Sequence, residues 1–363
     1  MKKIVLLFLI ASFYFTLSAQ RFSNEFLSIG VGARAQAMGK SVVASTNDVT
    51  SSYWNPAGLI RNKHDDWQFG AMHAEWFAGV GKFDYLAATR KINDNRRAVS
   101  LSVVRFGIDD IPNTLNLFEE DGSINFDNVV PFSAADYALI GGYSQYLLKN
   151  SDKWTVGANA KIIYRNIGPF ANAFGFGLDA GIQHWGEKWR FGVNVSDITG
   201  TFNAWTFNFT EEEKDVLQLT DNELPENSIE VTKPRAVLGI GRYGSLDKGF
   251  GLLVEANIEA TFDGRRNTLI KNDQFSLSPR VGLELDYKQF AFLRFGFNNI
   301  QQDTDIDLDP FWTVDPSIGI GVKIKDFTLD YAFTDIGEQR NSTFSHVISL
   351  LYNLKGKKQV AGF

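Results

Sequence analysis

The chain has no cysteine among its 363 residues. It therefore holds no disulfide, no thiolate metal site and no cysteine nucleophile. Beyond residue 19 it has no apolar run of eighteen or more residues, which excludes a membrane-spanning helix from the rest of the sequence. Histidine is scarce: His64, His73, His184 and His346 stand apart, without HExxH or other ligand spacing, so no zinc signature is present. No serine sits in a GxSxG context. The glycine pairs Gly239/Gly241 and Gly319/Gly321 lie inside alternating stretches with no helix to follow; they suit bends or close packing, not a nucleotide loop. Nothing points to an enzyme, and no cofactor is expected.

What is abundant is aromatic and small. There are 31 Phe, 11 Tyr, 8 Trp and 32 Gly, unlike an ordinary soluble domain. A closed β-barrel also crosses a bilayer, and its mark is alternation instead of a run. That mark is clear. Phe250, Leu252, Val254, Ala256, Ile258, Ala260 and Phe262 alternate with a polar set in which Leu253 is the one misfit. Ile318, Ile320, Val322 and Ile324 alternate with Ser317, Gly319, Gly321 and Lys323. Side chains flip face at each strand residue, so every such stretch has one apolar and one polar side. The polar sides carry Gly, Ser, Thr and Asn with charges of both signs, among them Lys161, Arg165, Arg190, Glu255, Glu259, Arg280 and Glu284. That suits a packed lumen better than the solvated face of a sandwich. On this register Ile320 faces lipid and Gly319 the lumen, so an arginine should be milder for insertion at 319 than at 320.

The pattern predicts fourteen strands, over 67–76, 79–91, 97–107, 133–148, 153–167, 170–186, 188–197, 233–243, 248–263, 275–287, 289–300, 311–324, 326–336 and 343–354. Every even-numbered connection is short, and the long ones, 108–132, 198–232, 264–274 and 301–310, fall on odd numbers. Outer-membrane barrels have short periplasmic turns and longer extracellular loops. The expected fold is all-β: a 14-stranded antiparallel transmembrane barrel over 67–354, with a periplasmic tail at 355–363 and both termini in the periplasm. Residues 1–19 read as a signal peptide, with Lys2 and Lys3, an apolar stretch from Ile4 to Phe15 and a small-residue site ending at Ala19. Without those two lysines, 34 basic residues face 42 acidic ones, which argues against nucleic acid as a partner.

Between leader and barrel, 20–66 is mostly non-strand and too small to bury a core of its own. It contains Arg34, Ala35, Met38 and Gly39 within an Ala/Gly run, then Tyr53, Trp54, Asn55, Pro56, Ala57 and Gly58. Proline disfavours helix at Asn55, so any helix over 47–54 ends there. These residues resemble the N-terminal signature of the PorV/PorQ family, outer-membrane proteins of type IX secretion and distant relatives of the FadL fatty-acid transporters. The resemblance implies that the segment is a plug inside the barrel, entering from the periplasmic side. It also implies a non-enzymatic role: binding or shuttling secreted cargo with C-terminal signal domains, or docking to other type IX secretion components. The alternative reading is a FadL-like channel for hydrophobic small molecules, in which Pro279 and Pro316, lying within strands, mark kinks in the wall. Either places the protein among outer-membrane lipid in a Gram-negative bacterium.

Two loops carry candidate sites. Asp303, Asp305, Asp307 and Asp309 alternate, and carboxylates so spaced converge on Ca²⁺ if the loop curls; the plain alternative is a solvated acidic loop. Phe202, Trp205, Phe207 and Phe209 crowd one end of 198–232, either as a docking surface for a partner protein or as a lid folded on the barrel mouth.

Overall fold

The computed structural model describes residues 23–354 other than 64–65, 77–78, 93–94, 120, 220–222, 305–309 and 335–344. The predicted signal peptide, the tail 355–363 and Asp305, Asp307 and Asp309 lie outside the described residues. Among the described residues one antiparallel sheet runs through β1 (Trp67–Trp76), β2 (Gly81–Ile92), β3 (Arg97–Asn113), β4 (Val130–Leu148), β5 (Ser151–Ile167), β6 (Ala171–Trp185), β7 (Trp189–Ser196), β8 (Thr201–Phe207), β9 (Ser228–Thr232), β10 (Arg235–Ser245), β11 (Phe250–Thr261), β12 (Ile270–Lys271), β13 (Ser276–Tyr287), β14 (Ala291–Thr304), β15 (Pro310–Ile324), β16 (Phe327–Thr334) and β17 (Ser345–Asn353). Pairing of β1 with β17 closes the sheet into a barrel. Fourteen strands make the wall; β8, β9 and β12 are additions at the rim. Among the described residues no helix is long and apolar enough to cross a membrane.

The wall strands match the predicted ones to within a few residues because alternation is what the wall needs. Along β1 every second residue is buried, from Gln68 to Trp76, and the residues between face outward. Leu253, the misfit, is 1% exposed and belongs to the apolar cluster that also holds Phe26, Val31, Met38 and Trp54 of the N-terminal segment. It is apolar because it meets the plug instead of water.

Several expectations change. The segment 198–232 is not one loop. β8 continues the line of β7 along β6, with Phe176 opposite Phe202 and Ala171 opposite Phe207, and β9 pairs back onto β8. Only the part beyond this hairpin, with a helix at Glu211–Leu219, projects further. These strands are too short to cross a bilayer, which hid them among the loops. The connection 108–132 is likewise shortened: β3 runs on past a bulge between Ile108 and Ile111, where Asp110 has φ 58°. The 301–310 loop shrinks too, since β14 reaches Thr304 and β15 starts at Pro310; Asp303 lies in β14 opposite Phe311.

A further change concerns the direction in which the described part of the plug runs. Its first described residues, Ser23 and Asn24, are buried at the extracellular half, where the Asn203 side chain of β8 donates to both at 3.2 and 3.0 Å. Asn24 donates in turn to Thr232 of β9 at 2.7 Å. From there the segment descends the lumen until Arg61 and Lys63 reach the short turns of the other end, near Asp152 and Gln289. The polar anchors on the rim hairpin hold the upper end.

Candidate functional site

The plug is a chain of short turns: 3₁₀ turns at Glu25–Ser28 and Pro56–Arg61, and single α-turns at Ala33–Ala37 and Ser51–Trp54. None is long enough to persist alone, so side chains and the wall hold them. The Trp54 indole N–H donates to the Val31 carbonyl at 2.8 Å. The Tyr53 hydroxyl donates to Leu27 at 2.7 Å and accepts from the Gly30 N–H at 3.0 Å. These two rings fold the second half of the plug onto the first.

Asn55 does more than end a helix. Its extended backbone (φ −166°, ψ 104°) stops the turn before it, and its side-chain oxygen caps the next by accepting from Ala57 N–H at 3.1 Å. Its amide nitrogen lies 3.0 Å from the Val43 carbonyl and 3.3 Å from the carbonyls of Ile182 in β6 and Val193 in β7. One buried side chain thus ties two plug segments to two wall strands. Pro56 needs close approach: a Cβ on Gly157 of β5 would stand 2.5 Å from the Ala57 nitrogen.

Across the lumen the Ala/Gly run does the same. Gly39, at φ 59°, lies against the Phe297 backbone of β14. A Cβ on Gly282 would be 2.5 Å from the Met38 oxygen, and one on Gly319 would be 2.5 Å from the Ala37 Cβ. The Ala33 N–H donates to Ser349 at 2.6 Å. Sequence reasoning did not foresee the ionic chain that anchors this half: Arg34 pairs with Glu284 at 2.8 Å, Glu284 with Arg294 at 2.7 Å, and Arg294 with Asp330 at 2.7 Å. Its signal was charges on the inward positions of neighbouring strands.

Lys40 is the plug's poorly compensated charge. Its ammonium finds only the Ser28 carbonyl, at 3.5 Å. Burial, with Arg280 and Arg235 nearby, pulls its pKa down to about 7, and burial pushes the Tyr53 hydroxyl up to about 12. Between about pH 7 and 10.5 the unfolded chain holds the Lys40 proton and the folded one does not, so stability rises with pH across that window. The urea midpoint is expected to rise from pH 7 to pH 9.5, and the rise to shrink in Lys40→Met. An equal rise in both proteins would show that Lys40 is not the titrating group.

Among the described residues the wall is interrupted between β13 and β14. β13 and β14 pair from Tyr287–Ala291 up to Val281–Phe297 and no further. Above that point Asn298–Thr304 pair only with β15, across a bulge at Asn299 (φ 51°), and Ser276–Arg280 pair only with β11 and β12. Pro279, opposite Ile258, stands at this break and brings no N–H to it. Pro316 pairs with Phe297 across the same bulged strand.

The rim aromatics are engaged with one another. Trp205, Phe207, Phe209 and Phe170 form a stack with centroids 5.6–6.4 Å apart, which meets Phe132 edge-on at 5.0 Å. Trp205 also donates to Glu230 at 3.0 Å and lies under Arg165. Phe202 points outward, 45% exposed.

No protein-family model matches the chain, and no curated protein does either. Solved structures do. The Pseudomonas putida toluene transporter TodX aligns over 90% of this chain and 98% of its own, at 12% identity and TM-score 0.56. The Ralstonia pickettii toluene transporter TbuX gives the same coverage at 12% and 0.55. The CymD monoaromatic hydrocarbon channel gives it at 13% and 0.57. The fold is theirs. At such identity the likeness covers the architecture alone.

Proposed function

We propose that this barrel admits small hydrophobic molecules through the outer membrane and releases them sideways through the β13–β14 break. The observation that carries the reading is that break, in a barrel whose lumen is occupied by the N-terminal segment. A molecule entering at the top meets the plug, and the unpaired upper halves of β13 and β14 offer a way out into the bilayer. The names of the similar structures, transporters of toluene and monoaromatic hydrocarbons, support the same class of solute. Cargo handling in type IX secretion rests on the resemblance of Arg34 to Gly58 alone. Those residues seat the plug, a need of any barrel filled in this way, so the channel is the better supported reading.

Closing the break tests it. Pro279→Val restores an N–H on β13, and deleting Asn299 removes the bulge on β14. Cells carrying the double variant should take up labelled toluene at least ten-fold more slowly, with unchanged amounts of heat-modifiable barrel in the outer membrane. Uptake equal to the wild type would sink the lateral route. Loss of co-purifying secreted proteins on deleting the chain, with no change in toluene uptake, would favour the cargo reading.

A further inference from the structure

At the periplasmic end, between the plug and the inner wall, lies a cavity of about 180 Å³. That is about the room a benzene-sized molecule occupies in a protein interior (~150 Å³). Four carboxylates line it, and each is already engaged. Glu284 is shared by Arg34 and Arg294, and Asp330 takes Arg294. Asp286 accepts from the Tyr243 hydroxyl at 3.2 Å and the Gln289 N–H at 2.9 Å. Asp48 accepts from the Thr50 N–H and hydroxyl at 2.8 and 2.5 Å.

Three lining cations are left over. The Arg190 guanidinium lies on ring faces, 4.2 Å from the centre of Trp185 and 5.3 Å from that of Tyr243. Among the described residues the Lys63 ammonium reaches only the Gln289 side-chain oxygen, at 2.6 Å. Lys323 makes no side-chain hydrogen bond or ion pair among the described residues. The lining holds five cations against four carboxylates, so one positive charge is in excess, and the three cations without an ion pair focus a positive field on the confined space. An anion there would relieve the repulsion and form charge-assisted hydrogen bonds. The rest of the lining is not that of a plain inorganic-ion site, since Trp185, Phe292 and Leu351 contribute apolar surface. Stacking on Trp185 also holds Arg190 in a fixed orientation, so less freedom is lost when it binds.

We propose that this cavity binds a small carboxylate carrying an apolar ring. The carboxylate is held by Arg190, Lys63 and Lys323, and the ring lies against Leu351, Phe292 and the edge of Trp185, whose faces carry Arg190 and Arg61. The site is separate from the β13–β14 break, and the proposal does not rest on the transport reading because its test is binding, not uptake.

The test titrates purified full-length protein in detergent with benzoate, following heat. Benzyl alcohol supplies the ring without the charge, and acetate the charge without the ring. Saturable binding of one benzoate per chain is expected, not displaced by a ten-fold excess of either control. Arg190→Gln and Lys323→Gln should each weaken it ten-fold or more while the barrel stays heat-modifiable. Lys288→Gln, a cation on the same side that does not line the cavity, should change it less than two-fold. Three results overturn the proposal: no saturation with benzoate; equal competition by benzyl alcohol, which would mean a merely greasy hole; or equal competition by acetate, which would mean diffuse attraction. Unchanged affinity in both folded glutamine variants would overturn it as well.

Discussion

Replacing Ile320 by arginine is expected to block assembly of the barrel. Ile320 is 56% exposed on the outer wall, between Leu293 of β14 and Tyr331 of β16. Its outward neighbours Ile318 and Leu329 are apolar and also exposed. No carboxylate stands beside it to receive a guanidinium, and β15 continues four residues to Ile324 before the polar turn. A charge on the lipid face near the midplane costs ~2–4 kcal/mol. That is a large part of the 5–15 kcal/mol by which a domain is ordinarily stable. The variant should accumulate outside the outer membrane, and the fraction refolding into detergent should fall at equal denaturant. Ile320→Leu should behave as the wild type. Normal insertion of the arginine variant would mean that this part of β15 does not face lipid.

The sequence carries the wall plainly because each wall strand states its own two faces. Ile318 and Ile320 against Ser317 and Gly319 need no knowledge of the partner strand. The plug is different. That Arg34 meets Glu284, 250 positions away, or that Asn55 reaches the carbonyls of Ile182 and Val193, depends on closure of the whole ring. A single stretch shows only that Asn55 and Pro56 break a helix. The hairpin β8–β9 had a legible signal, since Thr201 and Asn203 alternate with Phe202 and Ala204. It was masked by length, because seven residues read as loop when the standard is a spanning strand. The plug's upper anchorage was hidden for a related reason. Asn203 looks like an ordinary loop residue until the strand places it, fully buried, against Ser23 and Asn24.

The inner face gives the second large effect. At 319 arginine is still expected to be milder for insertion than at 320, but the lumen there has no spare room. The Cβ of even an alanine at 319 would come within 2.5 Å of the Ala37 Cβ and 2.6 Å of the Tyr331 carbonyl oxygen. An arginine there must displace the Ala33–Ala37 turn, and with it the Arg34–Glu284 pair one turn away. Overpacking alone costs ~1–3 kcal/mol, and breaking a buried ion pair by separating its partners ~3–5 kcal/mol. The wall need not suffer, since the outward face of β15 is untouched. The expected result is therefore a barrel that inserts normally but leaks. Planar-bilayer conductance should rise well above the wild type, and cells should become sensitive to large polar antibiotics. The mild version can be rescued: Gly319→Ala should leak slightly, and adding Ala37→Gly should close it again by returning the lost methyl's space. A Gly319→Arg barrel as tight as the wild type, or a Gly319→Ala leak that Ala37→Gly leaves unchanged, would show that the plug is not seated through this contact.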